Sequence, residues 1–524
     1  MKASEPSSVT VEVNHAVNPP PDLVAAHGTP DVGQPSSAPH RKWQGSVSSR
    51  ASYLQSPLGR HARPPLSSMV ALRFQGSWRR LRKASQANRG FRAEILIKHG
   101  IMSIVLVSKS MPAVVAGPCA GIVHLSSFDR SIPPVPVTLL LVFNQPIHDP
   151  VEAIKKALSQ ALMHYPPMAG RLASTGDDDG ELHHIACTGE GVSFVAASAG
   201  CALDDEATRS ALLLGDLSVG YPAEYCRLSD PFLLMQVTEF SCGGFVVGVS
   251  WNHVVADAAG MAQFVRAVGE LARGMPAPAV APVRSETDGS VPRLPPLMVA
   301  AVRSQMRIET EELASLDVTI PSSLIGRIKE ECAGDCTVFE AVAAVLWRCR
   351  TRAVISDAGP DDPAVAFAFP SNVRGLVGAK EGYYGNCVTM QQVQATGAAV
   401  ASGDVKDLVK LIKLAKDKVS DILVVNAGDE TGVVGGGRDE QQLAPPCSRY
   451  NTLIVTSWRN LGFEAVDFGR GAAARVMWKP HRTVGFGGVV CPPCKGGDGV
   501  NVVSFCVKPE HAAAFVAELD ALNI

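Results

Sequence analysis

Strand-like and helix-like segments alternate on both sides of a proline-rich stretch, and this alternation limits the fold more than any other feature. In the first half, Pro136–Asn144 is a continuous apolar run typical of a buried strand. Asp149 and Pro150 then open a helix, because Asp caps helices and Pro suits their first turn. The second half repeats the mixture, with helical patterns at Val338–Arg350 and Val405–Val419. The sequence therefore predicts a mixed α/β protein with two lobes.

Charge and cysteine content locate the limits of these lobes. Residues 1–101 carry 14 basic and 5 acidic residues, whereas the rest of the 524-residue chain carries 34 and 45. All 13 cysteines lie after residue 101, and a Pro-, Ala- and Ser-rich stretch begins after Gly274. We therefore expect a disordered basic extension (1–101), an N-terminal lobe (102–275), a crossover linker (276–310) and a C-terminal lobe (311–524).

The basic extension allows more than one interpretation. Between His40 and Lys98 the chain is rich in Arg and Ser and has one acidic residue, Glu94, as in plastid and mitochondrial transit peptides. That stretch begins 40 residues late for a transit signal. A solvated tail, or translated sequence ahead of a start at Met102, is the favoured interpretation. We expect a cytoplasmic protein, with plastid targeting as the minor alternative.

Several classes of partner are disfavoured. The irregular, odd-numbered cysteines are typical of reduced thiols, and the acidic body argues against nucleic acid or an anionic membrane as partner. The best apolar run, Val135–Phe143, is about half of the roughly 20 residues that span a bilayer. We expect no metal site, because Cys491 and Cys494 lack a second ligand pair and Asp177–Asp179 suits a solvated turn. Nor does Gly435–Gly437 precede the Lys-Ser/Thr of a phosphate loop.

The candidate chemistry lies beyond a predicted hairpin. Two apolar runs, Phe232–Phe240 and Phe245–Trp251, flank a Cys-Gly-Gly turn, and the second leads directly to His253-x-x-x-Asp257. A neutral imidazole at a strand end can accept a proton, while a neighbouring carboxylate orients it or its loop. An HxxxD alone is weak, and a core histidine followed by a helix-capping Asp257 explains the same letters.

Further motifs resemble those of the plant BAHD acyltransferases, which use acyl-CoA thioesters. They follow the family's order from about Met102 to the C-terminus and say nothing about residues 1–101. The matching segments are Leu125-Ser-Ser-Phe-Asp129, Tyr165-Pro-Pro-Met-Ala-Gly-Arg171, Ser250-Trp-Asn-His253-Val-Val-Ala-Asp257, Phe339-Glu-Ala with Leu346-Trp347, Gly382-Tyr-Tyr-Gly385-Asn386, Thr456-Ser-Trp458 and Asp467-Phe-Gly469-Arg470-Gly471.

The resemblance implies a chloramphenicol-acetyltransferase-like fold, with two similar lobes and an active-site channel between them. It implies that His253 is the general base and that the Thr456 hydroxyl and the Trp458 indole N–H stabilise the oxyanion. Asp257 is implied to hold the loop, and a structural role is implied for the loop residues Asp467, Gly469 and Gly471. Acyl-CoA is then a co-substrate, no cofactor is tightly bound, and the protein is a monomer.

The acceptor and the acyl group are less constrained. Arg374 and Asn386 are candidate substrate- or CoA-binding residues by the resemblance, and Leu376 stands where members acting on shikimate or quinate carry a second Arg. This favours a neutral alcohol of a plant specialised metabolite, with a hydroxycinnamoyl, benzoyl or aliphatic acyl group. The alternatives are N-acylation of amines or polyamines, and a non-catalytic binding protein. The latter is motivated by Arg470, which replaces the family's Trp.

Overall fold

The computed structural model describes residues 92–98, 101–118, 121–174, 184–203, 216–284, 294, 299, 302–303, 311–355, 363–425, 449–484 and 487–522. Most of the predicted extension and linker, Asp177–Asp179 and Gly435–Gly437 lie outside these residues.

The described residues form strands and helices in both halves. The strands are β1 (Arg92–Lys98), β2 (Ile101–Lys109), β3 (Ala113–Val115), β4 (Gly121–His124), β5 (Pro136–Phe143), β6 (Arg171–Ala173), β7 (His184–Cys187), β8 (Val192–Ala199), β9 (Leu233–Phe240), β10 (Phe245–Asn252), β11 (Ala314–Ile320), β12 (Ala364–Asn372), β13 (Val388–Thr396), β14 (Thr452–Ser457), β15 (Arg475–Lys479), β16 (Gly487–Cys491) and β17 (Val500–Val507). The helices are α1 (Ser127–Ser131), α2 (Pro150–His164), α3 (Ala258–Ala272), α4 (Ser322–Glu331), α5 (Val338–Ile355), α6 (Gly397–Ser402), α7 (Val405–Val425) and α8 (Pro509–Leu522).

The N-terminal lobe is built on an eight-stranded mixed sheet. Its strand order is β1-β2-β8-β9-β10-β5-β15, and β3 pairs with β8. Every residue of β5 and β10 is buried, which explains why both read as continuous apolar runs. Helices α2 and α3 bury their apolar faces in the same hydrophobic core as these strands. A separate three-stranded sheet has the order β4-β7-β6.

The C-terminal lobe has its own sheet and core. Six strands lie in the order β11-β17-β16-β14-β12-β13. Helix α5 carries Trp347 into a core that also contains Phe367 and Phe369 of β12. Two α/β lobes, each with its own sheet, therefore share one chain, as the alternation of segments predicts.

Strand β15 corrects the predicted boundary between the lobes. It lies within 311–524, but it pairs antiparallel with β5 and so completes the N-terminal sheet. Val476, Met477 and Trp478 belong to the N-terminal core. A five-residue strand whose partner lies more than 300 residues away leaves no local signal in the sequence.

Strand β1 lies inside the segment predicted to be disordered. Residues Arg92–Lys98 pair antiparallel with Ile101–Val107 of β2 in unbroken register. The apolar alternation of Ala93, Ile95 and Ile97 is short, and the surrounding excess of basic residues obscured it. A strand of the N-terminal sheet thus precedes Met102.

The predicted hairpin and the helix after it position the candidate site. Strands β9 and β10 pair antiparallel around a turn in which Gly243 has φ +83°, a conformation that favours glycine. The predicted helix beyond Asp257 is α3, and its Gly260 lies directly under the backbone of Tyr384. A Cβ atom at residue 260 would lie 1.9 Å from the Tyr384 carbonyl oxygen. A glycine here lets α3 touch the loop that precedes β13.

Candidate active site

His253 lies in the loop that leaves β10, with its backbone fixed by the neighbouring strand. Its main-chain N–H donates to the carbonyl of Val135 over 2.9 Å. Burial is the largest influence on the imidazole and lowers its pKa below the ordinary value, although the Asp257 and Asn386 side chains act in the opposite direction. His253 is therefore neutral at physiological pH and able to accept a proton.

Two buried polar side chains lie behind the imidazole. Asn386 Oδ1 is 3.1 Å from His253 Nδ1, and Asn386 Nδ2 is 2.9 Å from Asp129 Oδ1. Asp129 is held in turn by Arg284, at 3.2 Å, and by the main-chain N–H of Ser126. Asp129 is a residue that sequence reasoning missed. It belongs to the Leu125–Asp129 motif, but the motif gave no indication of what its carboxylate contacts.

The Asp257 carboxylate is hydrogen-bonded to groups of both lobes. It caps α3 by accepting the main-chain N–H of Gly260 over 2.9 Å. Both its oxygens also accept from Arg374, each over 2.8 Å, and Oδ2 accepts from the main chain of Cys387 over 3.0 Å. Burial opposes ionisation, but Arg374 and these N–H groups hold the pKa of Asp257 below its ordinary value.

Arg374 and Asn386 are both hydrogen-bonded to protein groups beside the cavity, and their role in substrate or CoA binding stays a prediction. The guanidinium of Arg374 lines the cavity but is committed to Asp257 and to the carbonyls of Tyr383 and Gly385. Asn386 has no exposed surface, and its main-chain N–H donates to Asp129 over 3.0 Å. The resemblance to the family predicted that these residues lie near the site but could not show which way their side chains point.

A cavity of about 650 Å³ lies in front of His253. This volume is in the range of small-molecule sites. Residues from both lobes line it, and the predicted residues His253, Asp257, Thr456 and Trp458 are among them. Apolar side chains make up much of the rest: Ile132, Val137, Trp251, Val302, Phe339, Phe369, Leu376, Val388, Met390, Ile454 and Trp478.

Thr456 and Trp458 come from the end of β14. Thr456 is half-buried, and Trp458 packs against Trp251 and Phe463 at ring-centroid distances of 6.3 and 5.2 Å. The main-chain N–H of Trp458 donates to Val490 over 2.8 Å, which fixes where the strand ends. The two residues predicted to stabilise an oxyanion thus share a cavity with His253.

The loop Asp467–Gly471 lies apart from this cavity. Asp467 Oδ1 accepts the main-chain N–H groups of Gly469 and Gly471, and both glycines have positive φ, at +122° and +102°. Phe468 packs against Phe143 with ring centroids 5.2 Å apart. The loop therefore packs on the N-terminal lobe.

Arg470, at the tip of that loop, is exposed. It borders a smaller cavity of about 120 Å³, beside Phe143, Phe245 and Phe468. The replacement of the family's Trp by Arg would matter if this position packed against the second lobe. The loop contacts the first lobe instead, and the Arg470 side chain faces solvent.

The described part of the chain contains neither a group of metal ligands nor a helix suited to cross a membrane. Those residues include no group of three or more His, Cys, Asp or Glu side chains able to hold a metal ion. Cys491 is buried, and the thiol of Cys494 donates to Asn501 Oδ1 over 3.5 Å. None of the described helices combines the length and apolar character needed to cross a bilayer.

The fold of this chain is similar to those of solved structures. Vinorine synthase has the same two-lobed architecture, with a TM-score of 0.63 at 19% identity over 79% of this chain and 98% of that one. The TRI101 protein of F. sporotrichioides, crystallised with coenzyme A and T-2, gives a TM-score of 0.58 at 17% identity over 76% and 97%. The fold class is therefore the chloramphenicol-acetyltransferase-like one expected from the resemblance.

The family follows from sequence. The model of the Transferase family matches residues 119–522. Acyl transferase 15 of Oryza sativa subsp. japonica is 43% identical over 445 residues, which cover 80% of this chain and 99% of that protein. The chain belongs to the Transferase family, that of the BAHD acyltransferases, and is an acyltransferase.

Proposed function

We propose that this acyltransferase moves an acyl group from an acyl-CoA thioester to the hydroxyl of a neutral plant metabolite, with His253 as the general base. The observation that carries the proposal is the half-buried imidazole of His253 at a cavity that Thr456 and Trp458 also line, where desolvation lowers the pKa of the imidazole and so favours its neutral form. The acyl group is hydroxycinnamoyl, benzoyl or aliphatic, because apolar walls accept all three. Acyl-CoA is a co-substrate, and no cofactor is tightly bound.

The mechanism uses this chain's residues without a covalent intermediate. His253 takes the acceptor's proton while the acceptor oxygen attacks the thioester carbonyl carbon. The tetrahedral oxyanion receives hydrogen bonds from the Thr456 hydroxyl and the Trp458 indole N–H, a class of contact worth about 3–4 kcal/mol per donor. The C–S bond then breaks, and the CoA thiolate leaves with the proton that His253 holds.

A neutral acceptor is supported by the charges that line the cavity. Arg374 and Lys416 are the described lining cations, and both are already paired, Arg374 with Asp257 and Lys416 with Glu340, each at 2.8 Å. An acceptor carboxylate would have to break one of these pairs. Amine acceptors form the second candidate class, because the Asp417 carboxylate also lines the cavity and would attract an ammonium group.

We also propose that the protein works in the cytoplasm as a monomer. Nine cysteines among the described residues, Cys226, Cys242, Cys332, Cys336, Cys349, Cys387, Cys491, Cys494 and Cys506, are free thiols, and six of these nine are buried, which suits a reducing compartment.

The test is release of free CoA by purified protein with acetyl-, benzoyl- and hydroxycinnamoyl-CoA, each offered alcohols and polyamines. We expect alcohol-dependent release by the wild type and a loss of about 10²–10⁴-fold in His253→Ala. The control variant is His164→Ala, at the half-buried last residue of α2, outside the cavity. Retention of more than about a tenth of the rate in His253→Ala would refute the assignment of the base.

The same panel separates the alternatives. Turnover of polyamines alone would establish N-acylation in place of the alcohol proposal. Binding of CoA with no turnover for any acceptor would identify a non-catalytic binding protein.

A further inference from the structure

The nitrogen end and the oxygen end of the buried Asn386 amide face different groups. Its Nδ2 atom lies 2.9 Å from Asp129 Oδ1, 2.9 Å from the carbonyl oxygen of His253 and 3.0 Å from that of Val254. All three neighbours accept hydrogen bonds and none donates. Among the described residues, the Oδ1 atom faces the imidazole, with His253 Nδ1 at 3.1 Å.

These neighbours determine which end of the amide is nitrogen. A flipped amide would place its oxygen against a carboxylate and two carbonyls, so that four acceptors would meet with no proton between the amide oxygen and any of its neighbours. Asp129 fixes the orientation further, because its Oδ1 also accepts the main-chain N–H of Asn386 over 3.0 Å. The oxygen of Asn386 must therefore face Nδ1, and a carbonyl oxygen can only accept.

We infer that Asn386 and Asp129 are positioning residues that hold His253 as the Nδ1–H tautomer, so that Nε2 is the atom that takes the acceptor's proton. The inference concerns the same site as the proposed function and rests on it. A neutral imidazole has one N–H, and the hydrogen bond to Asn386 assigns it to Nδ1. Free imidazole side chains in water favour the opposite tautomer, so the protein has to supply this preference.

The three groups come from distant parts of the chain. Asp129 belongs to α1, His253 follows β10, and Asn386 belongs to the loop before β13 in the other half. The correct tautomer therefore depends on contact between the two lobes, and the same loop is held there by the pair Asp257–Arg374. Asp129 is itself buried and carries Arg284 as its partner.

The direct test is the tautomer of His253 in the wild-type protein. Histidine labelled with ¹⁵N and long-range ¹H–¹⁵N correlation spectra distinguish the two neutral tautomers, and the signal absent from His253→Ala assigns the residue. We expect Nδ1–H at neutral pH. An Nε2–H tautomer in the wild type would overturn the inference, whatever the role of His253 in turnover.

Two variants test the source of that preference. Asn386→Leu keeps the approximate shape of the side chain and removes the oxygen that accepts from His253 Nδ1. We therefore expect part of His253 to adopt the Nε2–H tautomer. The kcat should fall about 10–100-fold, which is within the range that a general base supplies. The KM for acyl-CoA should stay within about twofold. Asn386→Asp keeps an acceptor toward Nδ1, so we expect Nδ1–H and a kcat per folded molecule above that of Asn386→Leu.

The pH profiles should separate the two variants. Asn386 and the charge of Asp129 both raise the pKa of His253 against the lowering effect of burial. The acidic limb of kcat/KM should therefore shift to lower pH in Asn386→Leu. In Asn386→Asp the introduced carboxyl lies against the Asp129 carboxylate and holds a proton toward it, so its other oxygen still accepts from Nδ1 and the acidic limb should stay near that of the wild type. A structural role alone would shift neither.

A matched control is Asn501→Leu, a buried asparagine of β17 that lies outside the cavity. It should lower the melting temperature without changing the tautomer, the pH profile or the rate per folded molecule. If Asn386→Leu changes only its melting temperature, as this control does, Asn386 is structural and the inference is wrong. Failure of His253→Ala to lose activity would instead refute the proposed function and leave the tautomer measurement standing.

Discussion

Substitution of Asp257 by Asn should destabilise the protein strongly and lower its activity as well, because Asp257 holds the loop that carries Asn386. Both carboxylate oxygens are in use, Oδ1 by Arg374 and Gly260, and Oδ2 by Arg374 and Cys387. The Asn side chain keeps one oxygen as a hydrogen-bond acceptor for two of these donors. Its NH₂ group replaces the other oxygen and lies against the remaining two donors. Arg374, whose side chain is 18% exposed, then loses its counter-ion inside the protein.

The magnitude follows from these contacts. Removal of one partner of a buried ion pair costs about 3–5 kcal/mol, because the other charge stays buried. Asn still caps helices, whereas Asp257→Ala also loses the cap of α3 and about 1 kcal/mol more. At roughly 2 °C per kcal/mol for a large domain, we expect Asp257→Asn to melt about 6–10 °C below the wild type.

The assay is thermal unfolding followed by circular dichroism, together with CoA release normalised to the folded fraction. Arg374→Met and the double variant Asp257→Asn/Arg374→Met complete a double-mutant cycle. The double variant should be less destabilised than the sum of the singles, because it leaves no unpaired charge. Additive losses would refute the argument that the pair, and not the individual side chains, holds the loop.

The stability due to this pair should depend on pH in a defined direction. The pKa of Asp257 is lower in the folded state than in the unfolded chain, where it is about 3.9. The contribution is therefore complete above that value and lost as the pH falls through the folded pKa. The difference in melting temperature between wild type and Asp257→Asn should be constant from pH 7 to about pH 5 and shrink below pH 4.

Three further outcomes are expected. Arg470→Trp should fill the small cavity beside Phe468 and raise stability by about 1 kcal/mol, with CoA release within a few-fold, and a rise in rate above tenfold would show that Arg470 had impaired the enzyme. Removal of residues 1–91 should leave fold and turnover intact, whereas removal of residues 1–101 deletes β1 and should lower the melting temperature, and equal melting of the two truncations would show that β1 adds nothing. The acidic limb of kcat/KM should have its midpoint below pH 6.5, because burial lowers the pKa of His253, and a midpoint above 6.5 would contradict a buried neutral base.

Local features of this fold could be predicted from sequence, whereas its long-range contacts could not. The strand β10, its hairpin turn and helix α3 each leave a periodic or turn signal within a few residues, and all three are present. The pairing of β15 with β5 leaves no such signal. The same holds for Asn386, whose contacts with Asp129 and His253 span 257 and 133 residues. Which side chains lie near the site was therefore predictable, and which way they point was not.

The four-residue spacing of His253 and Asp257 reflects the path of the backbone more than any direct interaction between the two side chains. His253 must leave β10 while its main chain is still hydrogen-bonded to Val135, and Asp257 must stand at the N-cap of α3. The turn between those two positions takes three residues, and Val255 closes it by donating to the carbonyl of Asn252 over 3.1 Å. The HxxxD motif alone is therefore a weak indication of function, because any strand–turn–helix of this length can contain it. Here the contacts of its two side chains make it specific: Arg374 binds Asp257 and Asn386 faces His253, both from the opposite lobe.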